Sequence, residues 1–181
     1  MAGKLYRSAQ LSQPDLDALL AQDRIACVLS LRKDDPPAPE FAAEKDHLRT
    51  IGIAHANIPF SPCKLPPPDS VVALIERFDR GPYPMLIHCE DGADRTGFAA
   101  VIWLMLYGDK SLAEARASDL SIWTGHFSFG QAHAMNDFFD LYERTAHGQG
   151  LREWVTASYP ALYDSARRPA TRAEVLAHDH N

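Results

Sequence analysis

The segment His88-Cys89-Glu90-Asp91-Gly92-Ala93-Asp94-Arg95-Thr96-Gly97 joins a short apolar run, Met85-Leu-Ile87, to a longer one, Phe98 to Tyr107. The first run reads as a buried strand that His88-Cys89 brings to an end. The second, counted from Thr96, reads as an apolar helix. A strand that enters a polar loop and leaves through a helix restricts the chain to folds in which strands and helices alternate.

The rest of the sequence agrees with that alternation. Ser12 and Pro14 open a helix near residues 13–22, with Leu16, Leu19 and Leu20 on one face. Ile25 to Leu31 is apolar almost without interruption, as in a strand covered on both faces. A polar, proline-containing loop from Arg32 to Pro39 leads to a helix over Glu40–Thr50, closed by Gly52. Ile53 to Phe60 is the next expected strand. The stretch Ser61-Pro-Cys-Lys-Leu-Pro-Pro-Pro68 is a stiff loop. Asp69 is placed to cap the following helix, where Val71, Leu74, Ile75 and Phe78 share a stripe. After Gly81-Pro-Tyr-Pro84 comes the strand at 85–87. Ser111-Leu-Ala-Glu114 is a capping box. An amphipathic helix is expected over Ala132–Arg144 and a short one near 150–158. The fold class expected is α/β, with a mainly parallel central sheet flanked by helices.

A chain of 181 residues with 46% hydrophobic and 23% charged residues has material for a single core. The expected domain spans residues 1–164. The segment 165–181 forms a tail, either loose or carrying a short helix capped by Thr171-Arg-Ala-Glu174. The 18 Lys and Arg against 24 Asp and Glu give a net charge of −6. This argues against a nucleic-acid partner, which calls for a basic excess. The longest apolar run is about half a membrane span, and the first residues carry no apolar stretch of the signal-peptide kind, so no membrane insertion is expected. Cys27, Cys63 and Cys89 make an odd number without zinc-site spacing. A reducing, cytoplasmic setting is the simplest expectation.

The chemistry of the 88–97 segment follows from its residue types. Ligands of open α/β sheets bind at the carboxyl ends of strands. Backbone N–H groups of residues 90–95 (Glu90, Asp91, Gly92, Ala93, Asp94 and Arg95), together with a helix N-terminus, suit an anion with tetrahedral oxygens. Cys89, at the start of the loop, faces those dipoles and a nearby guanidinium, which favours the thiolate. Arg95 can hold two phosphate oxygens through parallel hydrogen bonds, which lysine cannot. Thr96 can donate its hydroxyl to the departing thiolate, and Gly92 permits a turn that would strain other residues. Together these groups fit in-line attack of sulfur on the phosphorus of a phosphate monoester, followed by hydrolysis of a phosphocysteine. This chemistry requires no metal, and no cofactor is expected. His88, next to Cys89 on a strand, should point to the opposite face and act as a buried orienting group. Cys27 reads as a core residue. Cys63 reads as incidental, or as a partner that could trap Cys89 under oxidation. Arg7 and Arg32 read as pocket-lining or structural, and His126 and Trp123 as packing residues.

At these positions the chain resembles the protein tyrosine and dual-specificity phosphatase superfamily. The resemblance is carried by His-Cys-x5-Arg-Thr-Gly between an apolar strand and an apolar helix. Leu5-Tyr-Arg-Ser-Ala-Gln10, Val28-Leu-Ser-Leu-Arg32 and Leu104-Met-Leu with Ser111-Leu-Ala-Glu-Ala115 resemble further segments of bacterial dual-specificity-like members. The similarity covers roughly residues 5–120. It implies Cys89 as nucleophile and Arg95 as the phosphate-binding arginine.

The pattern departs from that family at the acid that protonates the leaving oxygen. The family often carries it as an Asp on the loop after the second strand. Here that loop, Pro59 to Asp69, holds no acid before Asp69. The candidates are Asp94 or Asp91, with Asp69 as the second choice. An acid within the loop resembles the arrangement in myotubularin-like phosphatases, and Glu90 directly after the nucleophile resembles cysteine phytases. Three loop carboxylates disfavour a polyphosphate, so phosphotyrosine or dual-specificity protein substrates are expected, with a small phosphomonoester as the minimal partner. The alternative is an inositol phosphate or phosphoinositide, with Lys64 or Arg32 supplying positive charge from outside the loop. Two rivals of other classes are a phosphate-binding module without turnover and a thiol redox or sulfur-transfer protein using Cys63.

Overall fold

The computed structural model describes residues 3–33, 39–126 and 133–167. Among these, four parallel strands form one sheet flanked by eight helices. The elements are β1 (Leu5–Ser8), α1 (Gln13–Asp23), β2 (Cys27–Ser30), α2 (Pro39–Ile51), β3 (Ala54–Asn57), α3 (Pro68–Arg80) and β4 (Met85–His88), then α4 (Asp94–Tyr107), α5 (Leu112–Asp119), α6 (Ala134–Thr145), α7 (Leu151–Ala157) and α8 (Tyr159–Arg167). The strand order is β1-β4-β2-β3. β4 therefore lies inside the sheet, with Ser8 and Ser30 on either side of His88. This is the α/β architecture expected from the alternating pattern.

Side chains alternate along each strand and so divide between two cores. Cys27, Leu29, Met85 and Ile87 point to one face, where Val71, Leu74 and Phe78 of α3, Phe98 and Val101 of α4, and Phe138 of α6 cover them. Val28 and Leu86 point to the other face, against Leu16 and Leu20 of α1 and Leu48 of α2. Coverage on both faces explains the uninterrupted apolar runs. Among the described residues no helix is long and apolar enough to cross a membrane.

The helix starts follow the sequence signals with one exception. The Ser12 hydroxyl accepts from the Asp15 N–H, and Ser111 and Glu114 form their capping box. Asp69 does not cap α3. Pro67 stands at the cap position and Pro68 opens the helix, so Asp69 falls within the first turn and makes no capping bond. The proline run sets the helical start two residues earlier, at a position that needs no N–H. Asp69 then faces the positive end of the helix dipole.

Other boundaries differ from expectation. The second expected strand, 53–60, narrows to β3, although Ile58 and Phe60 still donate to Ser30 and Leu31. The single helix expected near 150–158 is two, α7 and α8, and the second runs past residue 164 to Arg167. The expected tail helix at 171–174 lies outside the described residues, as does the start of the helix expected from Ala132.

Candidate active site

β4 ends at His88 in the middle of the sheet, residues 89–93 turn, and α4 begins at Asp94. Cys89 thus sits at the carboxyl end of an interior strand, in the loop that leads into α4. It is 1% exposed and packs within the α3/α4 core. His88 points the other way, as expected. Its Nε2 lies 3.0 Å from Oε1 of Glu44 on α2. Burial pushes the Glu44 carboxyl up, but its pairing with His88, Gln10 and His55 outweighs this and holds it below the ordinary range. Burial pulls the His55 imidazole down. A buried ionised carboxylate therefore anchors the strand end from beneath.

The loop is clamped through its carbonyls. The Gln10 N–H donates to Glu90 O at 3.0 Å, and the Leu31 N–H to His88 O at 2.9 Å. Arg7 Nη2 donates to Gly92 O at 2.6 Å, while its Nη1 reaches the Asp119 carbonyl and carboxylate, both at 2.9 Å. These bonds draw carbonyls to groups outside the loop. The first N–H groups of α4 have no intrahelical acceptor, and they stand available to an anion. Arg7 therefore has a structural role, tying the loop to the end of α5. Arg32 is held by Gln10 and Glu40.

Two glycines are required by close approach. At Gly92, φ is +69°, and a Cβ would come within 2.6 Å of the Ser8–Ala9 backbone. At Gly97 a Cβ would lie 2.4 Å from the Asp119 carbonyl. β1 and the end of α5 thus press on the loop from both sides, and neither contact tolerates a side chain.

The candidate residues assemble unevenly. Arg95 is buried, with Nη2 at 3.6 Å from Oε2 of Glu90. It lines an open groove of about 330 Å³ together with Lys33, Lys64, Pro62, Leu65 and Tyr163. Thr96 is fully buried, and its hydroxyl has no hydrogen-bond partner among the described residues. Ala93 and Gly92 form the turn itself. Glu90 and Asp91 are exposed. Asp69 is also exposed and does not line the groove beside Arg95. Cys63 is exposed beside His133 and Asp137. Cys27 is a core residue, and its thiol receives Arg77 Nη2 at 2.7 Å.

Asp94 differs from the exposed Glu90 and Asp91 in being half-buried and held by a short hydrogen bond. Its Oδ1 lies 2.6 Å from Nδ1 of His126, which is 1% exposed. His126 is thus no simple packing residue but a polar partner of the loop. A Cβ on the neighbouring Gly125 would meet Ala93 at 3.6 Å, which shows that this turn packs directly on the loop. Trp123, also expected to pack, is 89% exposed on the short helical turn Ile122–Thr124.

Comparison with known proteins agrees with this fold. No curated protein matches the chain in sequence. Solved structures match it in fold. A mutant form of Tk-PTP has a TM-score of 0.61 at 23% identity, covering 81% of this chain and 94% of that one. TpbA from P. aeruginosa, as a cysteine-to-serine variant in complex with pTyr, has a TM-score of 0.58 at 24% identity, covering 87% and 89%. The core catalytic domain of the PP-IP phosphatase SIW14 from S. cerevisiae, in complex with citrate, has a TM-score of 0.56 at 19% identity, covering 78% and 88%. The model of the tyrosine phosphatase family matches residues 1–112, which hold the whole sheet, Cys89 and Arg95. With its sheet order, its strand–loop–helix at 85–107 and this match, the chain belongs to the tyrosine phosphatase family and is a phosphatase of that kind.

Proposed function

We propose that the chain is a cysteine-dependent phosphomonoester hydrolase acting on phosphotyrosine or dual-specificity protein substrates through a phosphocysteine. The observation that carries this reading is the placement of Cys89 in the loop between β4 and α4, with Arg95 of the first turn of α4 lining an open groove. The loop amides and the Arg95 guanidinium hold the three non-bridging phosphate oxygens. Sγ of Cys89 attacks phosphorus in line; the S–P bond forms as the bond to the ester oxygen breaks. That oxygen takes a proton from the acid as it leaves. Water then attacks phosphorus and yields its proton to the same carboxylate. The S–P bond breaks, and the Thr96 hydroxyl supports the departing thiolate.

The acid we assign is Asp94. In support, it stands at the first position of α4, and its Oδ1 lies within hydrogen-bond distance of the buried His126 ring. Asp91 is exposed, and Asp69 is exposed away from the groove, which makes both weaker candidates. Three unpaired cysteines, one of them the proposed nucleophile, fit a reducing cytoplasmic setting.

A second reading has its own support. Lys33 and Lys64 line the groove beside Arg95 and would favour an inositol phosphate or phosphoinositide carrying further negative charge. Glu90, Asp91 and Asp94 oppose this, and Arg32, engaged with Glu40, adds little. The test is a comparison of kcat/KM for phosphotyrosine peptides, phosphoserine peptides and inositol phosphates, in EDTA with fresh reductant, read as released phosphate. The proposal expects the phosphotyrosine peptide to lead by about tenfold or more, from the electrostatic cost of placing added phosphates near three carboxylates. A lead by the inositol phosphates would transfer the assignment to the second reading. Phosphate binding without turnover would establish a binding module, and turnover requiring a dithiol and Cys63 a redox protein.

A further inference from the structure

Behind Asp94 runs a chain of polar side chains drawn from three helices and a turn. Asp94 Oδ1 lies 2.6 Å from His126 Nδ1, and His126 Nε2 lies 2.8 Å from Asn136 Nδ2 on α6. Asn136 Oδ1 accepts from Arg116 Nη2 on α5 at 3.2 Å, while Arg116 Nη1 donates to Asp140 at 2.6 Å. The His126 ring is buried between these partners.

The direction of each hydrogen bond follows from the cation at the far end. A guanidinium has donors and no acceptor, so the Asn136 atom that faces Arg116 is its oxygen. Asn136 then presents Nδ2–H to His126, and Nε2 must accept. The ring proton therefore lies on Nδ1 and is donated to Asp94 Oδ1. An oxygen that accepts this bond does not carry the acid's proton. The transferable proton is confined to Oδ2.

We propose that His126 is a positioning residue for the leaving-group acid, with Arg116 and Asn136 setting its tautomer so that Asp94 carries its proton on Oδ2. This rests on the assignment of Asp94 as the acid. The chain fixes the carboxyl rotation as well as the proton, and both matter because proton transfer to the leaving oxygen requires alignment at hydrogen-bond distance.

The test uses leaving-group dependence, which a merely structural role does not move. p-Nitrophenolate leaves readily without a proton, whereas an alkoxide does not. Asp94→Asn should lower kcat on an alkyl phosphate by about 100-fold more than on p-nitrophenyl phosphate. His126→Ala should show the same selectivity, with an excess loss of about tenfold on the alkyl phosphate. His126→Asn places an amide N–H where Nδ1 stood and should recover most of that loss. His126→Gln places its amide at the Nε2 position and should not. These two variants keep a buried polar side chain, so they decide the matter even where the alanine variant folds poorly. If Asp94→Asn is selective and the His126 variants lower both rates equally, or neither, the positioning role is overturned and the acid stands. If Asp94→Asn shows no selectivity, the acid assignment falls and the positioning role falls with it.

Discussion

Replacing Cys89 with serine is expected to lower kcat on p-nitrophenyl phosphate by about 10,000-fold or more, while phosphate still binds. The first part follows from the loss of the nucleophile, which in enzymes with a covalent intermediate removes nearly all of the chemical step. A serine hydroxyl is weakly nucleophilic without a base, and His88, the adjacent histidine, faces Glu44 on the opposite side of the sheet. The second part follows from the way the loop is held. Its clamps are Arg7, the Gln10 N–H and the Leu31 N–H, and each of these bonds ends on a backbone carbonyl rather than on the sulfur. Cys89 Sγ lies within a close-packed core, and oxygen for sulfur is a small change in volume there. Equilibrium binding of inorganic phosphate, measured by calorimetry beside the turnover assay, checks both parts. Loss of turnover together with loss of binding would show that the substitution had deformed the loop.

Arg95→Lys should lower kcat/KM by roughly 1,000-fold, although the charge is kept. The guanidinium offers two parallel N–H donors that match two equatorial oxygens of a transferring phosphoryl group, and an ammonium offers a point charge. Arginines that stabilise such transition states are commonly worth about 1,000-fold or more. The Arg95 side chain is buried, so its donors act in a medium where each bond counts for more than in water. Its Nη2 stands 3.6 Å from the exposed Glu90 carboxylate, a separation wide enough for the phosphate to displace that partner without breaking a tight bond. A steady-state comparison of wild type and variant on the same substrate measures the effect. A fall of tenfold or less would mean that Arg95 supplies charge alone.

The sequence made the central strand, the loop and α4 readable because their signals are local. An apolar run ending in polar residues, a glycine and a second apolar run report a strand, a turn and a helix from within the segment itself. The strand–loop–helix that holds Cys89 and Arg95 was legible for the same reason. β1 was not read as a strand from its pattern: it has four residues, and Arg7 and Ser8 break any apolar run. Its role appears only in the fold, where Arg7 reaches Asp119, 112 residues away. The division of the last helices at Ser158 has a physical cause in Tyr159 and Pro160. Pro160 suits the first turn of α8 and cannot continue α7, and Tyr159 turns inward to stack on Trp154.

His126 was misread because a lone histidine carries no sign of its partner. Asp94 is 32 residues away, and Asn136 and Arg116 lie on different helices. Nothing in the residues around 126 distinguishes a polar contact from packing. Asp69 was misread for a local reason. An Asp ahead of an apolar stripe usually caps, yet the three prolines before it had already fixed where the helix begins.

The central claim is that phosphorus passes through a covalent bond to Cys89. It is tested most directly by quenching the wild-type enzyme during turnover and reading the mass of the peptide that contains residue 89. The account predicts that this peptide gains the mass of one phosphoryl group, that fragmentation places it on Cys89, and that the gain is absent from Cys89→Ser. A phosphoryl group on another residue, or turnover by the serine variant at the wild-type rate, would contradict it.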